Sequence, residues 1–228
     1  MNGLPGVRTA RTATPRKILA SMAGLLLLPG GKIIDGAKSR DSNNTGDLDV
    51  LMAGLLMGKV TASGKYAPSI LGVVASAYTS GGTTLTVSAA QAVEIARRVG
   101  SSGTGTLICV GPPTANGTVA ETAVTFSAVN TTTGAITVTS LGVDKVAGSF
   151  ICTNDGSMYP VTFITDEYGI KTTDQDGVSC DVPFAGFPIA ALVDASQIGN
   201  YPSDTSIIAW VKAKLRAKGY GFMFDDDF

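Results

Sequence analysis

The chemistry open to this chain is narrow, because its sequence contains no histidine. That removes Ser-His-Asp and Cys-His catalysis, imidazole general-base steps and histidine metal sites together. Three Gly-Lys steps, Gly31-Lys32, Gly58-Lys59 and Gly64-Lys65, have the ending of a phosphate-cradling loop. Such a loop needs a glycine five residues before its second glycine and a hydroxyl after its lysine, to line the phosphates and meet the metal. Here the earlier position holds Leu26, Ala53 and Lys59, and the later one Ile33, Val60 and Tyr66. All three read as turns between strands. Asp174, Asp176 and Asp181 could gather round calcium, but EF-hand spacing and a closing glutamate are missing, so Asp176-Gly177 reads as a turn. Asp225, Asp226 and Asp227 could meet a cation or a basic partner, and read more simply as a solvated tail. Glutamates are confined to Glu94, Glu121 and Glu167, and paired-carboxylate glycoside hydrolysis depends on a geometry that spacing leaves open. Cys109, Cys152 and Cys180 form no CxxC pair, which reads as small buried hydrophobes in a reducing cytosol. The expectation is a protein that is not an enzyme, with no catalytic, cofactor or metal site.

The elements that would position any site read as β-rich. At 228 residues the chain can bury a core without staples. Its 28 glycines and 15% charged residues, with many Thr, Ser, Ala and Val, fit short strands and frequent turns. Residues 47–72 suggest buried strands around a Ser63-Gly64-Lys65 turn. Ser88 with Gln91 makes a capping box for a helix ending in Arg97, Arg98 and Gly100, with Ala89, Ala92, Val93, Ala96 and Val99 as its packed face. Residues 118–139 read as a hairpin turning at 130–134. Pro160, Pro183 and Pro188 suggest edge strands and strand ends. A second helix follows Pro202, with Ser203 or Asp204 near its N-cap and Ile207, Ile208, Val211 and Leu215 as its stripe. The fold expected is mainly β (α+β): a barrel- or sandwich-like body with one inserted helix, an extended N-terminal arm and a C-terminal helix. The units expected are an arm over 1–45, a body over 46–200 with 81–150 as a possible inserted subdomain, and a helix with an aromatic tail over 201–228.

Charge is uneven. Residues 1–40 carry Arg8, Arg11, Arg16, Lys17, Lys32, Lys38 and Arg40 against the single Asp35, whereas the whole chain is at −1. A basic arm on an acidic body points to a protein partner rather than to nucleic acid, since the basic residues are dispersed and lack interleaved aromatics. The run 18–28 imitates a secretory leader but is too short to span a bilayer and ends in Pro29-Gly30-Gly31 without a cleavage motif. It is expected to dock on a partner, through Arg8, Arg11, Arg16, Lys17, Leu25 and Leu27. Trp210, Tyr220, Phe222, Phe224 and Phe228 crowd the end of a chain otherwise poor in aromatics, and are expected to pack on the body or on a neighbouring copy.

Residues 49–60 (DVLMAGLLMGKV) and 61–72 (TASGKYAPSILG) resemble the core of bacteriophage head decoration, or cement, proteins. The Gly111-Pro112-Pro113 element, Asp181-Val182-Pro183-Phe184, Phe187-Pro188-Ile189 and the Pro202–Ser206 stretch extend the likeness over about two-thirds of the chain. The chain is longer than the small decoration proteins of lambda type. The resemblance implies a structural virion protein, a homotrimer on the outer capsid surface, bridging major capsid protein subunits without contacting nucleic acid or membrane. A tail or baseplate structural protein, or a carbohydrate-binding β-domain, are the alternatives.

Overall fold

The computed structural model describes residues 17–228. In chain order its strands are β1 (Leu19–Leu27), β2 (Lys32–Ile34), β3 (Val50–Leu51), β4 (Leu56–Lys59), β5 (Tyr66–Pro68), β6 (Gly72–Val73), β7 (Thr84–Thr86), β8 (Gly103–Gly111), β9 (Ala120–Val129), β10 (Ala135–Val138), β11 (Phe150–Thr153), β12 (Pro160–Phe163), β13 (Ile170–Lys171), β14 (Val182–Phe184), β15 (Pro188–Val193) and β16 (Gly221–Phe224). Helix α1 (Ala89–Val99) lies between β7 and β8, and α2 (Thr205–Arg216) between β15 and β16. The chain is mainly β with two α-helices, the fold class its composition and turn pattern imply.

The strands form a six-stranded sheet (β6-β11-β8-β9-β10-β7), a five-stranded sheet (β12-β4-β5-β2-β14), a three-stranded sheet (β1-β15-β16) and the β3-β13 pair. Pro160 and Pro183 sit on β12 and β14, the two edges of the five-stranded sheet, and Pro188 opens β15. A proline has no N–H to give a ladder, so each lies where the missing donor costs least. The hairpin of β9 and β10 turns at 130–134. Alternate residues of β8 enter different cores: Leu107 and Cys109 join α1 and β9, while Ile108 and Val110 join α2 and β16. The six-stranded sheet is thus a wall shared by both cores, so the central strand of the 81–150 segment belongs equally to the body.

Both helices start as their sequences direct. The Ser88–Gln91 capping box is formed, and Asp204 caps α2 by accepting from Ser206 and Ile207 N–H. Ile207, Val211 and Leu215 are fully buried. The inner face of α1 differs from expectation: Gln91, Ala92, Glu94 and Ile95 are buried, whereas Ala89 and Val93 are exposed. Gln91 Oε1 accepts from Ser88 N at 3.2 Å and from Val73 N at 3.1 Å, which turns that side of the helix onto β6. Glu94 follows it inward and is neutralised by Arg97 at 2.6 Å.

The segment expected as an arm is paired within its own chain from β1 onward. β1 runs antiparallel to β15, and β2 lies between β5 and β14. Ile18 and Ile34 are buried anchors that fix it there. Between the pairs Ser21↔Leu192 and Leu26↔Ala190, β1 uses more residues than β15. The excess bulges outward through exposed Met22, Ala23 and Gly24, and Gly24 takes φ +76°, a conformation a side chain would strain.

Candidate functional site

The expected contact residues divide into three groups. Arg8, Arg11 and Arg16 lie outside the described residues. Lys17 is exposed at the entrance to β1, Leu25 is half-buried against the core, and Leu27 is largely exposed opposite Pro188. In the tail, Phe222 and Phe224 are core residues, packed on the body, which is one of the two placements expected for them. They point inward from β16 because strand side chains alternate, and Phe222 packs on Phe163 with ring centroids 5.5 Å apart. Tyr220 meets the edge of Phe222, and Trp210 is half-buried beside Tyr159. Phe228 remains 93% exposed.

One charge cluster among the described residues joins distant segments. Asp155, in the loop after β11, accepts from Ser157 N at 3.0 Å, Ser157 Oγ at 2.6 Å and Thr153 Oγ1 at 2.9 Å. Lys38 Nζ lies 3.1 Å away and Arg98, at the end of α1, 3.5 Å away. Burial alone would raise the Asp155 pKa; the Ser157 hydrogen bonds, the Arg98 guanidinium and Lys38 pull it well below the usual carboxylate range. Arg98, its side chain only 2% exposed, also donates to Pro68 O at 2.8 Å and Ser157 Oγ at 2.6 Å. These groups line an open cleft of about 350 Å³ with Val99, Thr106 and Asn154. The cluster bolts α1 to the residue 36–38 turn and to the loop that lies over β4. Gly58 on β4 allows that approach, since a Cβ there would collide with the Ser157 carbonyl.

Several other ionisable groups are also tied into the fold. Lys145, 1% exposed, donates to Gly111 O at 2.7 Å and Ala120 O at 2.8 Å, closing the end of the β8-β9 ladder. Burial lowers its pKa, and the nearby Cys109 opposes the shift. Asp181 holds Lys65 at 2.5 Å and Asp174 accepts from Asp176 and Val178 N–H, so these aspartates do not converge. Asp226 and Asp227 take Lys212 at 2.8 and 2.6 Å, and Asp227 takes Arg216 at 2.6 Å, clamping the tail onto α2. No group of three His, Cys, Asp or Glu residues among the described ones is arranged to hold a metal. No helix among them is long and apolar enough to cross a membrane. The nearest approach to a sugar platform is Tyr159 and Trp210 beside Glu121, and Lys214 already occupies it, 4.2 Å from the Tyr159 ring centroid and 5.2 Å from that of Trp210.

What remains uncommitted is a surface. On the three-stranded sheet, Ala191, Val193, Phe222 and Phe224 face inward. The alternate residues and their registered partners, Ser21, Leu26, Ala190, Leu192, Gly221 and Met223, share the outer face. That face carries no charge, and Leu26 and Met223 are 59% and 51% exposed. Met22 stands beside it on the bulge, 70% exposed. Leu26 and Met22 belong to the apolar run noted in the sequence. Met223 lay hidden among aromatics, and only strand alternation reveals that it points outward where Phe222 and Phe224 point inward. No family model, curated protein or solved structure matches the chain.

Proposed function

We propose that this protein is a structural subunit that decorates and stabilises a protein shell. In the reading the sequence resemblance implies, the shell is a phage capsid, the partner is the major capsid protein and the subunit acts as a homotrimer on the outer surface. The observation that carries the proposal is the charge-free outer face of the β1-β15-β16 sheet, with Leu26 and Met223 in water. Large exposed apolar surfaces mark sites of association. The described carboxylates and lysines that cluster do so in ties within the fold, which suits a structural part better than a reaction centre. A contact of about 800 Å² per partner is modest alone, and a trimer engaging several shell subunits multiplies it through effective concentration.

The test is co-sedimentation of the purified protein with empty shells of the capsid protein from the same particle. Wild type should pellet with the shells, and Leu26→Asp/Met223→Asp should stay in the supernatant with its circular dichroism unchanged. Equal pelleting of both proteins would remove the face from the contact, and no pelleting of wild type would sink the proposal. Imaging of whole particles separates the head from the tail or baseplate, the alternative structural role.

A further inference from the structure

Two exposed lysines from distant segments share one cleft. Lys59 ends β4 and Lys218 follows α2; with Thr61, Gly156, Tyr159 and Val161 they line a space of about 340 Å³. Neither lysine forms an ion pair with a described residue. The carboxylates of the neighbouring segments are held elsewhere: Glu121 by Lys214 at 3.3 Å and the Tyr159 hydroxyl at 2.7 Å, Asp155 by Lys38 and Arg98, and Asp181 by Lys65. The cleft therefore presents two uncompensated positive charges beside an aromatic ring.

The opposite charge stands at the other end of the same strand pair. β12 runs antiparallel to β4, with Pro160 opposite Gly58 and Phe163 opposite Leu56. Tyr159 and Lys59 lie at the Pro160 end. At the Phe163 end the chain passes through Ile164, whose N–H donates to Leu55 O at 3.1 Å, into the turn 165–169. Asp166, Glu167 and Tyr168 are exposed there, Tyr168 by 62%. Asp166 Oδ1 accepts from Tyr168 N at 2.9 Å, and Gly169 packs so closely on β3 that a Cβ would meet the Val50 side chain, so the turn is braced. Neither Asp166 nor Glu167 forms an ion pair with a described residue: Lys171, the next lysine along the chain, is taken by Asp47 at 3.5 Å, and Lys32 at the start of β2 reaches neither. From Tyr159 to Ile164 the extended chain covers about 16 Å, which keeps the turn away from its own cleft.

We propose that copies of this chain join head to tail, the turn 165–169 of one entering the Lys59–Lys218 cleft of the next. Asp166 and Glu167 meet the two lysines, and Tyr168 lies beside Tyr159. A second copy is the occupant because the surfaces match, two carboxylates against two ammonium groups, and because β12 holds each turn apart from the cleft of its own chain. The contact joins two different surfaces, so copies add to a ring or a chain and not to a twofold pair. This deepens the homotrimer of the shell reading and rests on that reading for the number of copies alone. It uses none of the residues on the outer face of the β1-β15-β16 sheet.

Sedimentation velocity of the full chain, with no shells present, tests the contact. The sedimentation coefficient of wild type should rise between about 1 and about 100 µM, the range of a micromolar contact. Added salt should weaken the association, because the paired charges are exposed. Lys59→Glu/Lys218→Glu and Asp166→Lys/Glu167→Lys should each weaken it about tenfold. The chain carrying all four changes has opposite charges across the contact again and should recover most of the loss, which damage to the fold would not allow. Circular dichroism checks each variant, and Lys59→Gln/Lys218→Gln replaces the reversal should that disturb the fold. A monomer at every concentration, association indifferent to either pair of changes, or a natively folded fourfold variant no better than its parents would each overturn the proposal. Wild type that pellets with shells yet stays monomeric overturns this contact and leaves the shell reading standing.

Discussion

Replacing Asp155 by alanine should destabilise the fold by about 3 kcal/mol, and the reason is the charge it leaves behind. Arg98 is 2% exposed and keeps Pro68 O and Ser157 Oγ as acceptors once Asp155 is gone. Removing one partner of a buried pair costs about 3–5 kcal/mol, because the other charge stays desolvated. The lower end applies here: Asp155 is itself 26% exposed and Arg98 retains those two acceptors. Lys38 is exposed enough that its pair adds at most about 0.5 kcal/mol. Urea unfolding, with a slope of about 2 kcal/mol/M, should show the midpoint falling by about 1.5 M without a change of slope. Arg98→Met removes the charge together with its need for a partner and should cost only about 1 kcal/mol. The decisive variant is the double substitution, which should be more stable than Asp155→Ala alone. A midpoint shift under about 0.5 M for Asp155→Ala, or a double variant that simply sums the two single losses, would refute the buried-charge reasoning.

Acid should weaken the fold over a defined window. Asp155 and Asp227 both titrate below their unfolded value, Asp227 at about 2: burial would raise it, but Lys212, the Phe224 N–H and Arg216 bring it down. Their contribution is therefore present above about pH 4 and lost as pH falls toward about 2; a thermal midpoint flat across that range would contradict the ties, and Asp155→Asn should flatten the profile. Phe224→Ala should cost about 3–5 kcal/mol, since the ring is wholly buried, whereas Phe228→Ala at 93% exposure should stay within about 0.5 kcal/mol. Chemical denaturation of the two variants checks this, and near-equal losses would mean the tail is misplaced. Maleimide labelling followed by peptide mass analysis should modify Cys180 first, because burial pushes the Cys109 thiol up to about 12 and Cys152 higher still. Early labelling of Cys109 in the native protein would speak against the shared-wall packing of β8.

The sequence alone determined what is local. The Ser88–Gln91 capping box, the Asp204 cap, the proline positions and the turn at 130–134 depend on hydrogen bonds and side-chain periods within a few residues and are found where their patterns place them; of the stripe Ile207, Ile208, Val211 and Leu215, all but the half-buried Ile208 are fully buried. The missing histidines excluded whole classes of chemistry with no geometry needed. Tertiary structure decided everything that depends on strands distant in sequence. Residues 19–27 looked like a free arm because nothing in the sequence announces that β15, some 160 residues on, offers its edge to them. Arg98, Asp155 and Lys38 are unremarkable apart and become one buried tie only when α1, the loop after β11 and the turn after β2 converge. The tail shows the division most simply: its aromatic content was plain, but register on β15 chose Phe222 and Phe224 for the core and turned Met223 outward, because adjacent strand residues must face opposite sides.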